Sequence, residues 1–418
     1  LKVLQYDACQ PRRRCVLAPL GCCASALLAL LAAPAQAVAA ARPACDYLSK
    51  SVTAQPAGAL LLASYPSERS GALSNAAFTY DNSVAAIALV ACGHTPLARR
   101  IGDALLLALD HDRYWHDGRL RNGYAAGAIG AAPLKLAGWW DLKSQRWLED
   151  DYQAGSDSGN IAWAMLALLT LHAASGDQRY RDGALRLARW VEGTLDARGA
   201  GGFVGGYFGH EPAPQRQRWK STEHNTDLAA AFGWLARVTG DAHWRQRMTV
   251  AADFVAAMWN ADCGCYAVGT AEDGVTLNPL LALDAQVWPL MALPGAAKLS
   301  EPLLQTVDSR LRFQAGYTYS DAGGGLWIEG TAQVAVLLEL LHRQAPARTL
   351  RAAIEGERTA DGGYYATGAA AMPTGFMLAT DPSMPRVYFH LEHLGAAAWA
   401  ALADRGYNPF SGGRRLAR

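Results

Sequence analysis

EHNTDLAAAFGWLARVTGDAHWRQ (residues 223–246) sets four polar side chains, Glu223, His224, Asn225 and Asp227, at the entrance of an almost uncharged helical run. Gly240 ends the run, and Asp241 opens a second helix of different character. DSGNIAWAMLALLTLHAASGDQRYRD (residues 157–182) has the same plan, and its connection SGDQRYRD reads like TGDAHWRQ. A third copy starts at FTYDNSVAAIALV (residues 78–90), breaks at Gly93 and resumes with Thr95 as cap and Pro96 as first helical residue. In the second helices the apolar residues fall on one stripe: Tyr180, Ala184, Leu187, Val191 and Leu195, then Met248, Ala252, Val255 and Trp259. The first helices are apolar nearly all round, and a helix apolar on every face is buried on every face. The repeat therefore predicts an inner layer of first helices and an outer layer of second ones.

Gly- and aromatic-rich, strand-like stretches follow at 202–207, 264–269 and 362–368, and further inner helices are expected at 281–293, 329–341 and 390–403. Their spacing of roughly 50–80 residues is too long for a tetratricopeptide array. Six inner helices close a ring. No linker-like run interrupts the chain, so residues from 45 to 410 read as one domain.

The 418 residues are 51% hydrophobic and 18% charged, with a formal net charge of +1, which fits a large packed core. That balance, without a basic stripe, predicts no nucleic-acid partner. Arg12, Arg13 and Arg14 precede an apolar stretch (residues 16–31) and a small-x-small site at Ala35-Gln36-Ala37. We read residues 1–37 as a signal peptide, with a mature chain from about Val38, periplasmic or secreted, a monomer without a membrane span. Four cysteines then remain: Cys45, Cys92, Cys263 and Cys265. Cys45–Cys92 belongs to one of their three complete pairings. Cys263-Gly264-Cys265 lacks a matching pair for zinc.

The heads TYDNSVAAIA (79–88), SDSGNIAWAMLAL (156–168), WIEGTAQVAV (327–336) and HLGAAAWAALADRGYNPF (393–410) resemble those of the six-hairpin glycosidase superfamily. That resemblance implies an all-α fold, an (α/α)6 toroid with short β-hairpins in its loops. It also implies action on a poly- or oligosaccharide in a central cleft. It does not imply one reaction, since one fold hosts many.

In such a ring the helix starts gather at one mouth. Asp, Ser or Asn at a single start is an ordinary cap, but five acidic or histidine-bearing starts form a set. Glycoside hydrolysis needs a protonated carboxyl for the leaving oxygen and an ionised one to activate water or attack. Glu223 suits the acid, with Glu329 as rival, and Asp157 and Asp81 are candidate bases. Tyr80, Asn160, His224, Asn225, Asp227, His390, Glu392 and His393 are expected to bind substrate. Trp139, Trp140, Tyr207 and Trp327 are expected to supply aromatic platforms at the rim. Arg113, Arg119 and Arg121 read as an acidic-sugar clamp or, better, as a solvated loop. No phosphate loop or full metal-ligand set is present, so neither cofactor nor metal is expected. Alternatives are a lyase on a uronate polymer using His224, Asn225, Tyr80 and Arg113, a non-catalytic saccharide-binding protein, and an epimerase using His390 and His393.

Overall fold

The computed structural model describes residues 42–416, and the segment read as a signal peptide lies outside them. Thirteen α-helices occur among the described residues: α1 (Pro43–Thr53), α2 (Thr79–Ala91), α3 (Thr95–His111), the single turn α4 (Asp151–Ala154), α5 (Ser158–Ser175), α6 (Gln178–Glu192), α7 (Thr222–Thr239), α8 (Ala242–Ala257), α9 (Leu283–Ala292), α10 (Ser300–Arg310), α11 (Ile328–Leu340), α12 (Gln344–Glu355) and α13 (Leu394–Arg405). Helices α2, α5, α7, α9, α11 and α13 each pack on the next, and α13 returns to α2. Their outer partners are α3, α6, α8, α10 and α12, while α1 covers α13 from outside. The architecture is the expected (α/α)6 toroid.

Its local causes are those written in the repeat. Every residue of α5 from Ile161 to Leu171 is buried, as an all-apolar helix requires. Gly176 and Gly240 end α5 and α7 in the left-handed conformation, each at φ 73°. Asp177 and Asp241 then cap α6 and α8, accepting from the backbone N–H of Arg179 and His243. The third copy differs. There His94 stands at the cap without a side-chain bond, Thr95 is already helical, and Pro96 is second.

The strand-like stretches are shorter than expected. Gly206–Phe208, Cys265–Tyr266 and Gly269–Thr270 form small antiparallel pairs, whereas residues 362–368 make only isolated bridges. The longest hairpin, Ala371–Met377 with Pro385–Phe389, was not anticipated, and it lies directly before α13.

Aromatic rings fill the axis of the toroid. Trp163 of α5 and Trp288 of α9 meet Phe410, and Trp399 of α13 packs on both tryptophans, with centroid distances of 5.1 Å between Trp163 and Trp288 and 5.2 Å between Trp163 and Phe410. Phe410 belongs to the segment after α13, which also sets Gly412 against Trp234 near the end of α7. That segment closes the end of the ring where the inner helices stop, and the other end carries their starts. Disulfides join Cys45 to Cys92, tying α1 to the end of α2, and Cys263 to Cys265. The second bond occupies the thiols that a half metal site would need. No helix of the described residues is long and apolar enough to cross a membrane.

Candidate active site

The inner-helix starts converge. Tyr80 of α2 donates its hydroxyl to Glu329 of α11 and accepts the indole N–H of Trp399 at 2.8 Å. Its ring packs edge-on to Trp163, so the axial aromatic cluster is the floor of the site. His393 reaches two carboxylates: its Nε2 is 3.4 Å from Asp81 and its Nδ1 3.7 Å from Glu329. The same Nδ1 accepts the Ala396 N–H, which places the ring proton on Nε2, toward Asp81. Gly395 makes this approach possible, because a Cβ there would meet Asp81 at 2.8 Å and Glu329 at 3.1 Å.

Beside this group stand the starts of α5, α7 and α9. Glu223, Asp284 and Glu329 are each the second residue of their helices, so one register delivers three carboxyls to one mouth. None of them, nor Asp81 or Asp157, caps its helix by a side-chain bond; Ser221 caps α7 instead, accepting from His224 N–H. The acidic heads are thus free for something other than capping. Asp157 Oδ1, Asp81 Oδ2, Glu329 Oε2 and both oxygens of Asp227 are buried without a hydrogen-bond partner. Unpaired buried carboxylates are costly when charged, and the charge yields first.

Burial lifts Asp157 to about 7 against a hydrogen bond from Asn122 and the charge of Arg386. Glu329 also rises to about 7 through burial, with His393 and Tyr80 opposing. Glu223 lies well above the usual carboxyl range, first from burial in the crowded cleft and then from the charge of Asp284. Asp284 rises less, to about 6, because the Ala285 N–H and Arg386 offset its burial. Asp227 is pushed up by burial and by Glu223. Burial instead holds His224 down at about 4, so it is neutral at pH 7. Glu223, Tyr80, Asn160 and His224 remain only half-buried, which opens the basin to water.

These shifts carry a stability signature. Asp157, Asp284 and Glu329 bind a proton more tightly folded than unfolded, so their contribution is complete below about pH 4. It is lost as pH rises through about 6 for Asp284 and about 7 for the other two. His224 works in the opposite sense, losing stability as pH falls toward about 4. Comparison with Asp157→Asn isolates the carboxyl effect: the variant gains stability over wild type as pH passes from about 5 to 8. Thermal melts across that range check it, and a gap that shrinks with pH contradicts the assignment.

Of the residues singled out in the sequence, the basin holds Asp81, Asp157, Glu223, Glu329, Tyr80, Asn160, His224, Asp227 and His393. Asn160 binds Asn122 Oδ1 at 2.7 Å, and the His224 ring lies over Gly159, where a Cβ would come within 2.4 Å of it. Asn225 is fully engaged with the Phe203 backbone and the Ser221 carbonyl, as a wall brace. Trp327 is buried under Tyr319 and Tyr388 and is not a rim platform.

The packing partners of five others lie elsewhere. Tyr207 turns to Trp190 and Arg119. Trp139 and Trp140 sit on a separate hairpin, with Trp140 54% exposed and paired across from Trp147. His390 stacks on Tyr365 at 3.8 Å, and Glu392 packs on Gly363 and faces Tyr47. The reason for the last two is that α13 starts only at Leu394, so residues 390–392 belong to the connection between the strand Pro385–Phe389 and that helix.

Arg121 departs from both readings, whereas Arg113 and Arg119 sit on a solvent-facing loop as the favoured reading expects. Arg121 is buried, bound to Asp112 through Nε at 2.7 Å and to Glu211 through Nη1 at 2.9 Å. Arg113 pairs with Glu149 and Glu211, and Arg119 with Asp117 over the Trp115 ring. Arg121 is thus an internal brace, while Arg113 is exposed and the partner of Arg119, Asp117, faces solvent. Asp284, the hairpin residues Arg386 and Tyr388, and Tyr152 were not foreseen, whereas Tyr319 lies in the stretch 317–319 expected at the cleft rim. Asp284 had a signal, an isolated acid at the second position of an apolar helix, matching Glu223 and Glu329. Arg386 had none, because its hairpin shows no helical period.

No protein-family model matches the chain, and no curated protein matches it. Solved structures do. A glycosidase in complex with glucose aligns with a TM-score of 0.56 and 15% identity over 87% of this chain and 96% of that one. An alpha-amylase from Clostridium perfringens aligns at 0.59 and 10%, over 87% and 96%. Cellobiose 2-epimerase from Spirochaeta thermophila aligns at 0.57 and 13%, again over 87% and 96%. At such identities the likeness shows the fold alone: this chain is an (α/α)6 toroid, the architecture that these glycosidase and epimerase structures share.

Proposed function

We propose that this protein is an exported glycoside hydrolase that cleaves a poly- or oligosaccharide in the basin of inner-helix starts. The supporting observation is the Glu223–Asp284 pair. The two sit in the same register of neighbouring helices, and their environments separate their affinities for a proton. Two carboxyls whose pKa values are pushed apart are what acid and base roles require. Glu223, half-buried and holding its proton more tightly than an ordinary carboxyl, donates to the leaving oxygen. Asp284, ionised above about 6, activates water or attacks the sugar carbon. Tyr80, Glu329, His393 and Asp81 form a second bonded group that orients the sugar. Export is supported by the arginine-led apolar stretch and by the two disulfides, which suit an oxidising compartment.

A second reading rests on His224 and His393, the first neutral at pH 7 and the second shifted upward by Asp81 against its burial, beside the same basin. Such a pair suits proton exchange at a sugar carbon, as an epimerase needs. Incubation with neutral and acidic oligosaccharides separates the readings. Hydrolysis creates reducing ends, epimerisation leaves their number unchanged while a new isomer appears, and lyase action adds ultraviolet absorbance. We expect new reducing ends, with activity climbing through about pH 6 and falling once Glu223 loses its proton. An isomer without new ends overturns the hydrolase reading.

A further inference from the structure

The hairpin before α13 hangs over the basin, and alternate residues of its second strand face inward. Tyr388 lies 5.9 Å from the Trp327 ring and 6.2 Å from His393, and Arg386, two residues away, stands 5.8 Å from the Tyr152 ring. Thr374 on the first strand fixes the Arg386 carbonyl at 2.9 Å, and Ser320 fixes the Thr374 carbonyl at 2.8 Å. The strand that carries Arg386 is therefore anchored on both sides.

Arg113, Arg119, Arg121, Arg198 and Arg247 all hold a carboxylate within 3 Å. Among the described residues Arg386 forms no ion pair within 4 Å, although its charge is felt by Asp157, Glu223, Asp284 and His224. Its side chain is reached by solvent. A guanidinium amid carboxyls that it does not touch leaves its fork of donors directed at what enters the cleft. That fork matches a carboxylate bidentately and is wasted on single hydroxyls. Tyr152 and Tyr388, both partly exposed, flank the same space with rings on which a pyranose can lie, and the buried Tyr319 backs Tyr388.

We propose that Arg386 binds the carboxylate of a uronic acid residue, so that the saccharide taken by this basin is acidic. The assignment rests on the saccharide reading of the site given above. Burial shifts Asp157 and Glu223 toward their uncharged forms, which lowers the repulsion that an anionic sugar would otherwise meet.

The test measures binding by calorimetry on the full chain in a Glu223→Gln background, with a uronic acid oligosaccharide and its neutral counterpart. We expect preference for the uronide. Arg386→Gln should weaken uronide binding by roughly 10–100-fold and leave neutral binding unchanged, while Arg386→Lys restores part of it. Equal affinity for both sugars, or equal weakening of both by Arg386→Gln, overturns the proposal. So does a variant that, with Glu223 intact, only moves the pH profile and keeps the ratio of acidic to neutral turnover. Arg386-dependent uronide binding without any turnover in wild type upholds the substrate class and removes the hydrolase reading alone. Absence of binding to either sugar removes both.

Discussion

Glu223→Gln is expected to lower kcat by roughly 10²–10⁴-fold while KM stays within a few-fold of wild type. The amide keeps the shape of the side chain but has no proton to give the leaving oxygen. Burial shifts Glu223 toward its uncharged form and no ion pair holds it among the described residues, so the thermal midpoint should hold or rise. Asp284→Asn should have a comparable effect on kcat, because the same event needs its partner ionised. Substrates with a good leaving group separate the two. Loss of the acid matters less when the leaving oxygen needs no proton, whereas loss of the base is felt regardless. Steady-state kinetics on activated and natural substrates read this out. Turnover above a tenth of wild type in Glu223→Gln on a natural substrate sinks the assignment.

Arg121→Met should be the most destabilising of the changes considered, by about 3–5 kcal/mol. Arg121 has no exposed side-chain surface and Asp112 almost none, so the substitution strands a carboxylate in the interior. Glu211, although burial works to raise it, is held down at about 2 by hydrogen bonds from Arg113 and Arg121, and would lose one of them. The consequence reaches the site. The Arg121 carbonyl accepts the Thr79 hydroxyl, and the neighbouring Asn122 side chain accepts the N–H of Asp157 at 2.7 Å. The brace thus orients the starts of α2 and α5. Denaturant unfolding measures the loss, and Asp112→Asn added to Arg121→Met should recover part of it by removing the stranded charge. A loss below about 1 kcal/mol would mean that solvent reaches the pair after all.

The toroid was legible because its cause is periodic. An all-apolar helix followed by Gly-Asp and a striped helix admits few arrangements, and the repetition of residues 157–182 at 223–246 leaves a ring of inner helices as the consistent one. Outer helix α1 was less visible. It pairs with the last inner helix across the whole length of the chain, and no local signal announces such closure. The acidic starts were legible for the same reason as the fold, since they recur in register. Their roles were not.

From the chain alone came the order of helix pairs and the identity of most carboxyls at the mouth. These follow from side-chain chemistry at fixed intervals along a helix, which neighbours in sequence dictate. The three-dimensional arrangement decided which of those carboxyls keep their protons, that Ser221 rather than an acid caps α7, that Arg121 is a buried brace, and that Arg386 overhangs the basin. Burial and charge at a point are sums over residues distant in sequence, and only folding brings those residues within reach of one another.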